Sequence, residues 1–567
     1  MGARFHSNAD RIAAPRVRSF WFHLAFALLS MLLLGLAFPS PGWWPLAHVA
    51  LVPMTLMAGW AQGGKRLFWS TYLASYLWWL IMLGWLIGVT GGGYAALAAY
   101  MAIYYPAFLL IWRTIDIRFR WPAVITVPIV FVSLEFIRGT FLQGGMAWFG
   151  LGHSQAPYLP GHSTNWLIQS ADLAGDWTVS FLVAMTNGFI VDLIRAWLAP
   201  GATRLRAIAP TLLIWIITYA AALSYGYQRI KEPDEANWPT VNVAIVQTNV
   251  SQSNKLGGTQ ASLMADWNLM LDLTRQSMAG ADKPLIVVWP ETMVRVPLNP
   301  EMLAVMRRLK EEGRSDAILF HDQIAALALE FRIHLFVGSG TMFYDPDLKK
   351  NSAFQYLPTG EQAPEYYSKI DRVPFGEYIP WVEGWPWLKR LFLKYLSPYG
   401  PDNDYTLTPG DKRTVFLVPV QGSDDLRVTT PICFEDAFAR SCLALCYDKL
   451  GKRCDVMLNL TNDGWYPGTD QGYQHVQMAV LRSIENRVPM ARSVNTGVSC
   501  FISSTGRVGP FVEVNGKVQE VEGAAVHPMV IDPRSSLFGA VGTWPVRLLM
   551  ILMFVLYGAA KFMRKRI

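Results

Sequence analysis

The sequence predicts a multi-spanning α-helical membrane domain followed by an extracytoplasmic α/β sandwich domain, with one further span after it. Three observations carry this reading. Of the 567 residues 52% are apolar and 23 are tryptophan, too apolar a balance for an ordinary soluble enzyme of this length. The long uncharged runs fall mainly in the first 230 or so positions. From about 235 to 540 the chain instead alternates short β-rich runs with amphipathic helical stretches, the pattern of sheets covered by helices.

A bilayer core needs roughly 20 apolar residues per helix. Runs of that kind cover 21–38, 44–60, 67–89, 94–112, 121–137, 177–197, 207–225 and 544–563, about eight spans in all. Trp or Tyr near many of their ends fits the interfacial belt of membrane helices better than buried soluble helices. The basic start of the chain ahead of the first run resembles a signal peptide, but no A-x-A-like cleavage site follows and another apolar run begins at once. The first run is therefore expected to be a span. These runs divide the chain into a membrane domain at 1–230, a globular domain at 231–540, and a last span with a basic tail at 541–567.

Charge sets the expected orientation. The basic N-terminus, Lys65 and Arg66, then Arg113, Arg118 and Arg120, then Arg195, Arg204 and Arg206, and finally Lys561 with the terminal basic cluster fall on one side if the spans alternate. By the positive-inside rule that side is cytoplasmic, both termini lie there, and the globular domain lies outside it. The net charge of +7 is thus explained by topology rather than by a nucleic-acid stripe. Glu135 and Arg138 close the fifth run, where ionisable side chains are expensive unless paired or wet, so they are candidates for function as well as for a snorkelling helix end.

In the globular part three strand ends carry chemistry. PLIVVWPET puts Glu291 just beyond a buried strand, after Pro290 interrupts the ladder. YYSKIDRVPFGEYIP holds Lys369 among aromatics and Glu377 on a turn. VTTPICFED puts Cys433 at a strand-to-helix elbow, where free N–H groups and the helix dipole favour a thiolate. Taken singly, these read as a loop acid, a loop lysine and an inert buried thiol. The five cysteines are Cys433, Cys442, Cys446, Cys454 and Cys500, an odd number that leaves at least one thiol free. Cys433 is expected free, and any disulfide is expected among Cys442, Cys446 and Cys454.

The runs occur in the order Glu, Lys, Cys, and with NLTNDGWY and QHVQMAVLRSIENRVPMARSVNTGVS behind them the region from about 240 to 535 resembles the nitrilase superfamily. The apparent spans, together with GLAFPSPGWWPL and EFIRGTFLQGGMAWFGLGHSQ, are similar to its membrane branch, the apolipoprotein N-acyltransferases. The resemblance implies an αββα sandwich in a bacterial inner membrane protein, its catalytic domain periplasmic. It implies that Cys433 takes an acyl chain from a membrane phospholipid as a thioester and passes it to the α-amine of a diacylglyceryl cysteine on an apolipoprotein. Glu291 would be the proton shuttle, and Lys369 with the Phe434 N–H would stabilise the thiolate and the oxyanion. Glu377 and Glu435 would position the lysine, the nucleophile or the amine, and Asn351, Trp465 and Arg487 would line or brace the site. The family often has Tyr where this chain has Phe434, which removes any hydroxyl role there and leaves the N–H. No cofactor or metal is implied, no nucleic acid partner is expected, and a monomer is the expected state. The segment EGWPWLKRLFLKYLSPYG is an expected interfacial lid.

Two other readings remain at this point. A membrane-tethered amidase or lipid hydrolase would deliver the acyl group to water instead of an amine. A transporter or sensor would need a degenerate globular domain and, for many transporters, an inverted repeat among the spans. The nine histidines show no H-E-x-x-H or Cys/His ligand spacing, which speaks against a metal enzyme, and GVTGGG lies at a span end with no strand before it, which speaks against a nucleotide site.

Overall fold

The computed structural model describes residues 18–564 apart from 142–144, 199–203, 232–236, 254–257, 344–347, 380–384, 397–405, 421 and 423. The basic N-terminus and the end of the basic tail, which entered the orientation argument, lie outside the described residues.

Five helices among the described residues are long and apolar enough to cross a bilayer: Gly92–Phe119, Ala123–Thr140, Asp176–Leu198, Ile208–Lys231 and Trp544–Met563. Phe20–Leu36 is apolar but has 17 residues, about 26 Å at the α-helical rise. The run 44–60 is not a continuous helix. Pro45 and Pro53 each begin a new element, a 3-10 turn at Trp44–His48 and a nine-residue helix at Val52–Trp60, which at about 14 Å cannot cross a bilayer unaided. Ile208–Lys231 has a mean hydropathy of 1.6 with 6% of its apolar window buried by protein. An apolar helix so little covered requires lipid around it.

The globular part is built on two six-stranded sheets. The first runs β14-β1-β2-β3-β4-β5, with β1 (Thr240–Gln247), β2 (Ile286–Val288), β3 (His334–Met342), β4 (Lys349–Tyr356), β5 (Gln362–Ser368) and β14 (Gly523–Val530). The second runs β13-β12-β11-β10-β7-β6, with β6 (Phe416–Val418), β7 (Leu426–Thr429), β10 (Val456–Thr461), β11 (Met490–Val494), β12 (Cys500–Ile502) and β13 (Val508–Phe511). A hairpin of β8 (Tyr447–Asp448) and β9 (Gly451–Lys452) stands apart. β1, β2 and β3 are mutually parallel, as are β7, β10 and β11. In such sheets functional groups collect beyond the carboxyl ends of the parallel strands.

Val243, Ile245, Val288 and Phe336 of the first sheet pack against Val428, Leu458, Leu460 and Ala491 of the second, forming the sandwich interior. The Gln260–Ser277 and Ile318–Phe331 helices cover the other face of the first sheet. The outer face of the second sheet is covered by the Gln471–Asn486 helix, itself packed against Ala156, Ile168 and Val179 of the membrane half. That helix is tied across the seam by buried charge. Arg487 at its C-cap donates to Asp172 at 2.6 and 2.8 Å, and Asp172 also accepts from Arg229 and Tyr225. Arg482 bridges Asp176 and Glu485, each at 2.8 Å. A fully buried pair such as Arg487 and Asp172 adds little net stability over an apolar pair, but removing one partner strands a charge, so it fixes register between the two halves.

Candidate active site

Glu291 lies beyond the carboxyl end of β2. The ladder continues through the Trp289 N–H to Phe336 O, stops at Pro290, and resumes at Val294, whose N–H bonds Gly338 O. Thr292 between them is left-handed at φ 52°. Glu291 thus stands on a short outward bulge over the sheet end, and Gly338 makes room for it. A Cβ at 338 would lie 2.6 Å from Pro290 O and 2.8 Å from the Glu291 Cα. Gly338→Ala is therefore expected to push Glu291 out of place, with a stability cost of about 1–3 kcal/mol and a larger loss in acyl-adduct formation, measured by intact mass alongside thermal melting. An adduct rate that falls no further than the melting shift explains would count against this placement.

Asn351 of β4 donates from Nδ2 to Glu291 Oε1 at 2.6 Å. Lys369 follows the last residue of β5, where its N–H bonds Asn351 O at 2.8 Å. Its Nζ lies 2.7 Å from Glu377 Oε1 and 3.4 Å from Glu291 Oε1, and the side chain is buried. Burial alone would favour loss of the proton, but Glu377, then Glu291, raise the lysine well above its usual range, so it is a fixed cation. Glu377 is held in turn by the Val373 N–H at its Oε2.

Cys433 begins a 3-10 turn, Cys433–Ala437, directly beyond β7. Its φ of 49° is the left-handed conformation that non-glycine residues rarely adopt, and Ile432 before it forms a parallel bridge to Leu460 of β10. The first N–H groups of such a turn lack intrahelical acceptors, and the Phe434 N–H is one of them. Glu435 closes the elbow. Its Oε2 accepts from the Ile432 N–H, while its Oε1 accepts from the Tyr367 hydroxyl and the Ile370 and Asp371 N–H groups. The carboxylate therefore pins the Cys433 turn of one sheet to the Lys369 segment of the other. Burial pushes its pKa up to about 7 against those donors. Burial, then the charge of Glu291, hold the Cys433 thiol well above its usual range, with Lys369 opposing. The resting group is therefore a thiol.

Of the other residues singled out from sequence, Trp465 sits half-buried in the turn after β10. Arg487 is a correction: its side-chain hydrogen bonds run to Asp172, Gln169 and Ser504 O, so it braces the seam and not the reacting centre. The residue beside Trp465 was missed. Tyr466 lies close enough for the charges of Cys433, Asp463, Lys369 and Glu377 to act on its hydroxyl, which burial first and Cys433 next hold above the usual range. Its place in NLTNDGWY was the only signal. Beneath the elbow, Asp436 accepts from His475 at 2.5 Å and from Arg492, and His475 reaches Asp463 at 3.3 Å. Burial would discharge His475, but Asp436 and Asp463 raise it to about 9. Phe434 stacks on Trp148 of the membrane half at 5.4 Å and Tyr466 meets Trp85 edge-on at 4.8 Å, so the Cys433 turn abuts the apolar bundle. A cleft of about 270 Å³ opens beside it, lined in part by Asp371, Arg372, Tyr378, Phe434, Phe438 and Arg440, with Arg440 paired to Asp371 at 2.7 Å. All five cysteines are free thiols.

Residues 30–189 match the family described as apolipoprotein N-acyltransferase N-terminal domain, and residues 242–546 match carbon-nitrogen hydrolase. The apolipoprotein N-acyltransferase of Geobacter metallireducens (strain ATCC 53774 / DSM 7210 / GS-15) is 30% identical over 524 residues, spanning 88% of this chain and 90% of that protein. The chain belongs to the apolipoprotein N-acyltransferase family. Its relative in Chlorobaculum tepidum (strain ATCC 49652 / DSM 12025 / NBRC 103806 / TLS), of the same name, is 27% identical over 88% of this chain and 90% of its own length. Among solved structures, an amidase from Nesterenkonia sp. AN1 aligns with 51% of this chain and 90% of its own at 14% identity and a TM-score of 0.34. Saccharomyces cerevisiae Nit3 aligns with 54% of this chain and 94% of its own at 16% identity, also at 0.34. The protein is a membrane-associated acyltransferase with a nitrilase-like α/β domain.

Proposed function

We propose that Glu291, Lys369 and Cys433 move an acyl chain from a membrane phospholipid to the α-amine of an S-diacylglyceryl cysteine at the start of an apolipoprotein. In the first half-reaction the Cys433 sulfur attacks the ester carbonyl, Glu291 takes the thiol proton and returns it to the departing alkoxide, and a thioester and a lysophospholipid result. In the second, the neutral amine attacks the thioester, an amide forms, and the sulfur leaves and regains its proton through Glu291. Lys369, kept cationic by Glu377 and Glu291, and the Phe434 N–H stabilise the oxyanion in both.

The observation that carries this reading is the seat of the Cys433 turn on the seam, with Phe434 stacked on Trp148 of the apolar half. A nucleophile so placed suits lipid substrates, which cannot leave the bilayer without exposing their chains. The domain division at 1–230, 231–540 and 541–567, an outward-facing catalytic domain in the bacterial inner membrane and cytoplasmic termini complete the proposal, resting on the charge bias of the described loops. The Pro386–Leu396 helix, with Trp385, Trp387, Leu391 and Tyr395 exposed, suits a lid that rests in the interface.

The test is discharge of the thioester. Purified protein incubated with phosphatidylglycerol vesicles is expected to gain one acyl mass on Cys433 that persists, and to lose it on addition of a diacylglyceryl-cysteine peptide, which becomes triacylated. Equal discharge by water without the peptide would make the protein a lipid hydrolase.

A further inference from the structure

Arg138, two residues before the end of the apolar Ala123–Thr140 helix, is 5% exposed and its guanidinium has no hydrogen bond or ion pair with any described residue. The guanidinium lies over the Trp79 ring face, 5.3 Å from its centroid. Glu135, one turn earlier, is committed to the Leu151 N–H at 2.6 Å. A guanidinium carries five donors, and one so little exposed with no ion pair beside it is a candidate seat for an anion.

Arg138 lines a cleft at the seam together with Arg440 and Arg482, and the Arg482 Nε is buried without a hydrogen-bond partner. Glu135 and Asp176 line the same cleft, and His153 there is bonded to Asp176. Arg440 is paired with Asp371 at 2.7 Å and Arg482 with Asp176 and Glu485 at 2.8 Å each, which leaves Arg138 as the cleft's guanidinium with no such ion pair among the described residues. The free volume is about 30 Å³, room for phosphate oxygens but not for a whole headgroup, which must therefore stay in the mouth.

The cleft is joined to the reacting centre. Phe438 and Arg440 line both it and the cleft beside Phe434, and Ala437, at the end of the Cys433 turn, lines it too. At the 3-10 rise, Cys433 and Ala437 are about 8 Å apart along that turn. In an extended glycerophospholipid the phosphorus and the nearer ester carbonyl are about 6–7 Å apart by ordinary bond lengths.

We infer that Arg138 binds the phosphodiester of the acyl donor at the seam, holding its ester within reach of Cys433. This rests on the acyl-transfer reading above. Acyl-adduct formation would be measured by intact mass with two donors, phosphatidylglycerol vesicles and 4-nitrophenyl palmitate, an ester with no phosphate. Arg138→Gln is expected to raise KM for phosphatidylglycerol roughly 10- to 100-fold while leaving the phosphate-free ester unchanged, with Arg138→Lys between. Added inorganic phosphate should compete weakly with phosphatidylglycerol and not with the neutral ester. Equal losses with both donors would make Arg138 structural and overturn the inference. An unchanged KM for phosphatidylglycerol in Arg138→Lys and Arg138→Gln, with phosphate still competing, would make this a site for free anions and overturn it as well. If Arg138→Gln does not accumulate, the Arg138→Lys comparison between the two donors decides. Absence of any adduct in the unaltered protein with either donor would instead defeat the acyl-transfer reading itself.

Discussion

Cys433→Ala is expected to abolish the acyl adduct and the N-acylated product together, a loss on the order of 10⁴- to 10⁶-fold if the nucleophile acts as such groups do in other covalent enzymes. Alanine keeps a Cβ on the left-handed backbone at 433, so the elbow, the Glu435 bonds to Ile432, Ile370 and Asp371, and the stack of Phe434 on Trp148 have no reason to change. The melting temperature should therefore stay near that of the unaltered protein, which separates lost chemistry from lost fold. Cys433→Ser should be nearly as inactive. Even the thiol lies well above its usual range here, because burial and Glu291 outweigh Lys369, and a hydroxyl starts from a far higher pKa in the same surroundings. Product formed by Cys433→Ala above the uncatalysed background would remove the thioester from the mechanism.

How much of this could be read from the chain depends on how local each signal was. The three residues proposed to react each follow a β-rich run, and a residue just past a buried strand is forced to the sheet's end whatever the strand order, so Glu291, Lys369 and Cys433 were legible as strand-end groups. What the runs could not reveal was the pairing of β4 with β5, which carries Asn351 against the Lys369 backbone and sets its amide on Glu291. Glu435 was legible as an acid beside the nucleophile, but its part in pinning Lys369's segment depends on partners some 65 residues away. Arg487 misled for the same reason. Its partner Asp172 lies 315 positions earlier in the other half of the molecule, and no periodicity links them. The 44–60 run misled differently, since hydropathy alone counts apolar residues and does not weigh two prolines that restart the helix. Tyr466 and Trp148 were hidden because an aromatic residue beside a site looks the same in sequence as one inside a core.

Glu291→Gln is expected to lower acyl transfer by about 100-fold to 10,000-fold while making Cys433 easier to alkylate. The two effects have opposite signs because Glu291 has two consequences for the thiol. As the proposed base it would accept the proton in the transition state, which the amide cannot do. As a fixed negative charge it disfavours the thiolate at rest, and after burial it is the largest cause holding the thiol up. Glutamine keeps a carbonyl oxygen for the Asn351 amide and the Lys369 ammonium but carries no charge, so the thiolate faces one negative neighbour fewer. Lys369 remains cationic through Glu377 at 2.7 Å. The rate of alkylation by iodoacetamide should then rise at lower pH in Glu291→Gln than in the unaltered protein. Lys369→Met should shift the profile the other way, since it removes the Lys369 charge that favours the thiolate, and should also lose acyl transfer. Alkylation and transfer falling in parallel in Glu291→Gln would mean that Glu291 supports the thiolate rather than receiving its proton, and the shuttle assigned to it would have to move to another group.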